Sequence, residues 1–246
     1  MPAVKRAFQS ATAPQAPAPV GVDEAGRGCL AGPVTAGAVL FSAGFDWIAG
    51  LPGLDDSKKL SPAAREALAP RIRAQALAFG LGLAWQEEVD ALNIQKATFR
   101  AMSRAVLALA ASLPPALPPL WIDGPLVIPL AHWEACLPVP APGHPACALE
   151  NAAFALPGHP PPPLPPQQAF VDGDALLPVI AAASVLAKTA RDALMTRLDP
   201  FFPGYGFARH KGYATPAHLE ALAALGPCPL HRRTFRKVRP EQGRLA

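Results

Sequence analysis

Charge is scarce in this chain of 246 residues: Lys, Arg, Asp and Glu make up 16% of it and aromatic residues 7%, against 51% hydrophobic residues and 32 prolines. No apolar run approaches the roughly 18 residues of a membrane span, so the hydrophobic content belongs to a core and no membrane partner is expected. Residues 1–19 hold a few basic and polar positions followed by alternating Ala and Pro. They lack the continuous apolar segment of a secretory leader, and a cytoplasmic location is expected. Cys29, Cys136, Cys147 and Cys228 are scattered and form no C-x-x-C pair. Reduced thiols are therefore expected, not a disulfide frame. His144-Pro-Ala-Cys147 has ligand-like spacing but no second pair, which argues against zinc. The spacing Gly26-x-Gly28-x-x-x-Gly32 fails the dinucleotide fingerprint, and no P-loop lysine follows it. Ser184 and Lys188 are four apart, not the S-x-x-K of serine acyl enzymes.

The charge that is present is unevenly placed. Net charge is only +4, yet Tyr205 to Arg239 carries seven Lys or Arg residues against one acid, Glu220. Such a concentration suits a phosphate backbone, with a solvated basic face as the competing explanation. The length fits one large domain with an appendage. Residues 1–19 read as a disordered Ala/Pro tail, residues 20–200 as an α/β domain, and 201–246 as a helical segment with a basic tail. Strands are expected at Gly21–Glu24, Pro33–Phe41, Ala74–Trp85, Leu120–Gly124 and Ala169–Val171. Ser61-Pro62 opens a helix reaching about Ala69, residues 87–112 form a second, and Leu177–Leu198 and Pro216–Leu225 two more. Lys96, Arg100 and Arg104 lie along one face of the second helix, as a phosphate-facing stripe or a solvated face. Dense prolines between about 129 and 168 make helix or ladder formation implausible there, and this stretch reads as an insertion.

Acids stand at the ends of three of these strands: Asp23 with Glu24, then Asp123, then Asp174. Carboxylates are the ligands Mg²⁺ and Mn²⁺ prefer, and two such ions about 4 Å apart activate water and stabilise the leaving oxygen of a phosphodiester. Adjacent acids in a regular strand face opposite ways, so Glu24 is placed at the strand's end, where Gly26 and Gly28 bend the chain with positive φ. Arg27 adds a fixed positive fork beside the acids.

Several motifs in order carry a resemblance. They are Asp23-Glu24-Ala-Gly26-Arg27-Gly28 with Gly32-Pro33, Asp56-Ser57-Lys58-Lys59-Leu60, Ile122-Asp123-Gly124, Gly173-Asp174 ten residues before Ser184, Arg191-Asp192, His210-Lys211-Gly212-Tyr213, and His231-Arg232-Arg233-Thr-Phe235. Over about residues 20 to 236 the chain resembles bacterial ribonuclease HII. The resemblance implies a ribonuclease H-like mixed sheet flanked by helices, with a small C-terminal helical segment. It implies endonucleolytic cleavage of RNA in RNA–DNA hybrids and 5′ of single ribonucleotides in duplex DNA, with Mn²⁺ or Mg²⁺ as cofactor; a monomer is expected. Position by position, it makes Asp23, Glu24, Asp123 and Asp174 the catalytic metal ligands. Gly26, Arg27 and Gly28 would read the ribose 2′-hydroxyl, the group that separates RNA from DNA. Tyr213 would stack on a deoxyribose at the RNA-to-DNA junction, and Lys58, Lys59, Lys188, Lys211, Arg232 and Arg233 would meet phosphates.

The chain departs from that pattern in three places. Asp123 and Asp174 lie 51 positions apart because of the insertion, which a surface connection tolerates at little cost. Asp172 puts another acid near the proposed ions, although the ten-residue offset to Ser184 favours Asp174. Pro125 follows Asp123-Gly124, where the family commonly has Asn. Plainer roles are expected for Asp192, an ion pair with Lys188, and for Asp55 and Asp56, caps of the following turn. Two rival functions are a non-catalytic reader of RNA–DNA junctions and a DNA-directed nuclease on the same core. Clustered acids with no cation argue against the first, because their burial costs stability.

Overall fold

The computed structural model describes residues 18–113, 116–135 and 161–239. The expected Ala/Pro tail up to residue 17, the middle of the insertion, Cys136, His144 and Cys147 lie outside them. In chain order the elements are β1 (Val20–Ala25), β2 (Val34–Leu40), α1 (Trp47–Gly50), α2 (Pro62–Gln75), β3 (Ala78–Ala84), α3 (Gln86–Leu92), α4 (Ile94–Ala110), β4 (Leu120–Asp123), α5 (Leu130–Glu134), β5 (Gln167–Phe170), α6 (Gly173–Leu176), α7 (Pro178–Leu198), α8 (Phe207–His210) and α9 (Pro216–Leu225). The strands form one mixed sheet in the order β3-β2-β1-β4-β5. β1–β2 and β2–β3 pair antiparallel, while β1–β4 and β4–β5 pair parallel.

Strand alternation gives the sheet two apolar faces. Val20, Val22, Val34, Ala36, Ala38 and Ile122 pack with Ala97, Ala101, Met102, Ala105 and Leu109 of α4. Val39 and Leu81 point the other way, to Val179, Ala182, Ala183 and Leu186 of α7 and to Leu68 and Ile72 of α2. Glycines let both helices come close. A Cβ on Gly21 or Gly37 would lie 2.3 or 2.5 Å from the carbonyl oxygens of Val179 and Ala183, and one on Gly80 or Gly82 would lie 2.1 Å from those of Ala105 and Ala101. The alanine-rich composition is the other half of this packing, since small residues fill both sides of each contact.

Several sequence expectations are corrected. α2 runs past Ala69 and through Pro70 to Gln75, held by burial of Leu68, Ala69 and Ile72 against α7, so β3 begins at Ala78 instead of Ala74. The single helix expected over 87–112 is two, broken at Asn93, whose φ of 77° ends α3 while its side chain accepts from the Lys96 amide and caps α4. The basic stripe on α4 is mostly consumed internally. Arg104 donates to both carboxylate oxygens of Glu88 at 2.7 and 2.8 Å, and Arg100 lies 3.5 Å from the same group. The proline-rich stretch is less featureless than expected. Leu130–Glu134 is helical, and its buried Trp133 donates from Nε1 to the Pro162 carbonyl at 2.8 Å. Strand β5 begins at Gln167, whose side-chain amide bonds both backbone polar groups of Ile128. Among the described residues no helix is long and apolar enough to cross a membrane.

Gly82→Ala is expected to push α4 off the sheet and destabilise the protein by about 1–3 kcal/mol, read as a drop in Tm by circular dichroism; an unchanged Tm would contradict the close approach. Burial alone would raise the Glu88 carboxyl, but the Arg104 hydrogen bonds and charge hold it below its ordinary range. Its contribution is therefore present above the unfolded-state pKa and is lost as pH falls through the folded one. Glu88→Gln should lower Tm at pH 7 and lower it progressively less below pH ~4, in the range where a free Glu takes up its proton.

Candidate active site

Strand polarity gathers the acids. β1 and β4 run parallel and stay paired as far as Val22 and Ile122, so the residues that follow, Asp23 and Asp123, leave the same end of the sheet. Both alternate with residues facing α4 and so point towards α7. Asp174 arrives from α6, directly after β5, and its amide lies 3.3 Å from Asp123 Oδ1. Asp23 and Asp174 are almost completely buried, Asp123 half-buried. Glu24 does not sit at a bend as expected. It pairs regularly with Ala36 inside β1, the strand runs on through Ala25, and the turn comes at Gly26, with φ 93°. Alternation therefore carries Glu24 to the other side of the strand, where Oε1 meets Arg27 Nη1 at 3.3 Å while Arg27 Nη2 donates to Gln95 at 3.0 Å.

The cluster is electrostatically strained. Burial, then the charges of Glu24 and Asp123, pushes the Asp23 carboxyl well above its ordinary value. Burial and Asp123 raise Glu24, with Arg27 opposing, and burial and Asp174 raise Asp123. Asp23 is oriented by the Glu24 amide at 2.6 Å and by the Ser184 hydroxyl. Ser184 in turn lies 2.7 Å from the Ser57 hydroxyl, so a buried chain of hydroxyls joins the turn before α2 to the acid. Arg65 fixes that turn by donating to the Ser57 and Leu60 carbonyls at 2.8 and 2.6 Å. Lys58 reaches from it to Asp174 Oδ2 at 2.9 Å. Burial works against the Lys58 ammonium, but Asp174, Asp23 and Asp56 together hold its pKa above the ordinary value.

These acids offer hard oxygen donors only, the set that Mg²⁺ and Mn²⁺ take. Among the described residues no three acidic, His or Cys side chains form a ready-made cage. Mg²⁺ keeps several waters and commonly uses one or two carboxylates plus substrate phosphates, so the residues fit such an ion without a cage.

The Gly26–Gly32 loop is shaped by two buried arginines. Arg232 donates to the carbonyls of Gly26, Arg27 and Gly32 at 2.8–3.0 Å. Arg191 donates to those of Ala31, Pro33 and Lys211 at 2.8–3.0 Å. Gly26 is required both by its φ and because a Cβ there would lie 2.0 Å from Arg191 Nε. Gly28 does not have the expected positive φ, and a Cβ there would face open space, so neither backbone conformation nor packing among the described residues requires a glycine at this position.

The structure sorts the basic residues singled out in the sequence. Arg232 is fully buried and turned inward, a correction to its expected phosphate contact: its donors are spent on main-chain carbonyls. Lys211 lies outside the cleft, its ammonium directed to the Thr196 hydroxyl and the Ala208 carbonyl. Lys59 is half-exposed within 3.7 and 3.8 Å of Asp55 and Asp56, and Arg233 is exposed beyond the cleft. Lys58 and Lys188 do line it, together with Asp23, Glu24, Gly26, Arg27, Asp123 and Tyr213, around a volume of about 430 Å³. Lys188 pairs with Asp192 at 2.8 Å as expected and lies 4.9 Å over the Tyr213 ring. Asp55 and Asp56 cap their turn, accepting from the amides of Asp56 and Lys58. Asp172 is exposed, with φ 54°, while Asp174 is buried against Asp123, so Asp174 is the acid at the cluster. Ser57, Arg65 and Gln95 were missed. Ser57 stands inside a quoted motif, but its partner Ser184 is 127 residues away.

A family model described as Ribonuclease HII matches residues 20–115 and 166–238. The ribonuclease HII of Nitratidesulfovibrio vulgaris is 49% identical over 220 residues, covering 89% of this chain and 86% of that protein. A ribonuclease HII of Archaeoglobus fulgidus, solved in complex with PCNA, superposes with a TM-score of 0.61 at 26% identity over 90% of this chain and 97% of that one. The structure of Bst-RNase HIII in complex with Mn²⁺ has the same fold, with a TM-score of 0.61 at 17% identity over 94% of this chain and 70% of that one. With more than half its length matched by the family model and its acids at the carboxyl ends of a ribonuclease H-like sheet, the chain belongs to the ribonuclease HII family, endoribonucleases that act on RNA–DNA hybrids.

Proposed function

We propose that this ribonuclease cuts 5′ of single ribonucleotides in duplex DNA as well as within longer hybrids, using Mn²⁺ or Mg²⁺ held by Asp23, Glu24, Asp123 and Asp174. The observation that carries this reading is the shared cleft. Asp23, Glu24, Asp123, Gly26, Arg27 and Tyr213 come from remote parts of the sequence and line one opening, with Asp174 bonded directly behind Asp123. Bound there, such ions supply an activated water and charge stabilisation at the leaving oxygen.

The protein's own groups do the rest. Ser184 and the Glu24 amide hold Asp23 in one orientation. Arg232 and Arg191 occupy the carbonyls of the 26–33 loop, which leaves the open side at Gly28 for a ribose 2′-hydroxyl. Lys58 and Lys188 are the cleft's candidates for phosphate contact, and Lys58, now on Asp174, would be free to meet a phosphate were that acid to hold a cation. Tyr213, 38% exposed at the cleft edge, offers its ring to a sugar. A fold-mate bearing Mn²⁺ supports the choice of metal.

The test is cleavage of a labelled DNA duplex containing one ribonucleotide, with all-DNA and all-RNA duplexes as controls, in Mn²⁺, Mg²⁺ and EDTA. Metal-dependent cutting 5′ of the ribonucleotide is expected. Asp23→Asn should lower it by roughly 100-fold or more, as the loss of several kcal/mol of charge stabilisation implies. Binding without cutting under every condition would favour a non-catalytic reader, and equal cutting of all-DNA would favour a DNA-directed nuclease.

The raised Asp23 pKa sets a second expectation. An acid whose folded pKa lies above its unfolded value costs stability at neutral pH, and the cost disappears as pH falls below the unfolded value. Asp23→Asn should therefore raise Tm in EDTA at pH 7 while lowering activity; a lower Tm would mean that the acid's hydrogen bonds outweigh its burial.

Lys58 and Arg232 should separate in a binding titration against salt. Lys58→Ala is expected to lower Tm less than Arg232→Ala does, since it removes one exposed partner of buried Asp174, and to reduce the salt slope of substrate binding by about one unit. Arg232→Ala is expected to lower Tm by several degrees, because it leaves buried carbonyls without their charged donor, with the salt slope preserved. A reduced slope for Arg232→Ala would restore it as a phosphate contact.

A further inference from the structure

Three histidines of the C-terminal segment are buried together and touch none of the acids. His210 and His218 stack at 4.3 Å between ring centroids, and His218 and His231 face each other with their Nε2 atoms 3.1 Å apart. Tyr205, Phe207 and Cys228 enclose them.

Backbone partners fix the tautomers. The Cys228 amide donates to His231 Nδ1 at 3.0 Å, so that nitrogen is an acceptor and the proton of the neutral ring sits on Nε2. His231 Nε2–H then donates to His218 Nε2, which places the His218 proton on Nδ1. That proton is donated to the carbonyl of Tyr213, 2.9 Å away. The chain of hydrogen bonds thus runs one way: Cys228 amide, His231, His218, Tyr213 carbonyl. His210 is fixed similarly, with Nδ1 accepting from the Gly212 amide at 3.2 Å and Nε2 donating to the Tyr205 carbonyl at 2.7 Å. Neutral rings suit the site: burial, then neighbouring His218, holds His231 down at about 4, and burial also lowers His218.

The relay ends at one recognition element and begins beside another. Arg232, which holds the Gly26 and Arg27 carbonyls, follows His231 directly. One dipeptide of the C-terminal turn therefore reaches the Gly26–Gly28 loop through a guanidinium and the Tyr213 turn through two imidazoles. The Leu30 amide, which donates to the Gly212 carbonyl at 2.8 Å, joins the two elements a second time. We propose that His218 and His231 are positioning residues for Tyr213, setting its ring against the Gly26–Gly28 loop so that both meet the two sides of an RNA-to-DNA junction. This rests on the reading of Tyr213 as a substrate contact.

Two substitutions of similar polarity separate the role from plain structure. In His218→Asn the side-chain amide nitrogen occupies the place of Nδ1 and keeps the donor to the Tyr213 carbonyl. In His218→Gln the amide occupies the place of Nε2, keeping the His231 partner and losing that donor. The readout is the ratio of kcat/KM on a duplex with one ribonucleotide to kcat/KM on a uniform RNA–DNA hybrid, so a shared loss of folded enzyme cancels. His218→Gln is expected to lower the ratio by about 10-fold, within the range for losing one stacking contact. His218→Asn should stay within roughly 3-fold of the parent, and adding Tyr213→Ala to His218→Gln should lower the ratio no further than Tyr213→Ala alone. Equal ratios in the Asn and Gln variants, or additive losses in the double variant, would overturn the proposal while Tyr213→Ala by itself still lowers the ratio. Should Tyr213→Ala leave the ratio unchanged, the reading of Tyr213 fails and the positioning role falls with it.

Discussion

Two guanidinium groups that, among the described residues, hydrogen-bond to main-chain carbonyls and to no carboxylate hold the centre of this molecule. Arg191 and Arg232 are fully buried, and between them they take up the carbonyls of Gly26, Arg27, Ala31, Gly32, Pro33 and Lys211. Burial and the nearby Arg191 pull the Arg232 pKa down to about 10, which still leaves it charged at neutral pH. A buried charge is tolerable only when its donors are satisfied, so the loop must present its carbonyls inward. That inward turn dictates Gly26, whose missing Cβ makes room for Arg191. The loop is left open at Gly28, while Gly26 and Arg27 beside it line the cleft shared with the acids.

The acids press in the opposite direction. Asp23, Glu24 and Asp123 are all pushed towards their neutral forms by burial and by neighbouring acids, while Arg27 and Lys58 reach Glu24 and Asp174 from the rim of the cluster. A site that must accept a small, strongly hydrated cation works better with acids partly short of countercharge than with acids already neutralised by arginine. The contrast with Glu88 makes the point. There two arginines converge on one carboxylate and lower its pKa, which stabilises the fold and leaves its oxygens already paired with positive charge. Lys58 is the intermediate case: a single exposed lysine on buried Asp174 is easily displaced.

Much of this was legible in the sequence, for identifiable reasons. Asp23 and Asp123 could be placed because β1 and β4 are short, largely apolar runs that reach an acid and then a glycine, patterns that depend on local residues alone, whereas Asp174 stands on α6 beyond a β5 that reads Gln-Gln-Ala-Phe. Tertiary effects were not legible. Pro70 stands inside a helix because burial against α7 outweighs the lost hydrogen bond, and no local signal records that burial. Asn93, by contrast, did carry a local signal, since Asn tolerates positive φ, and a break in the long helix could have been read there. Arg232 misled because charge next to Arg233 in a basic stretch looks like surface. Which of two adjacent arginines turns inward is set by the bridge between Ala31 and His231, a pairing 200 residues apart in sequence.

The same bridge explains why a small helical segment belongs to the site at all. Residues 205–231 bury Tyr205, Phe207, Cys228 and Leu230 against Leu194, Met195 and Leu198 at the far end of α7, so the segment shares a core with the sheet and is not a separate lobe. α7 also carries Ser184 and Lys188 at the acids and Arg191 at the loop, about one helical turn apart. Its close approach to β1, permitted by Gly21, therefore sets the distance from Asp23 to Ser184 and, through the same rigid helix, the place of the Tyr213 turn. A displacement of α7 would move the acids' hydroxyl partner, the loop's guanidinium and the tyrosine together. Catalytic and recognition groups thus share one rigid support, and the abundant alanines, with glycines at the contact points, let that support lie directly on the sheet.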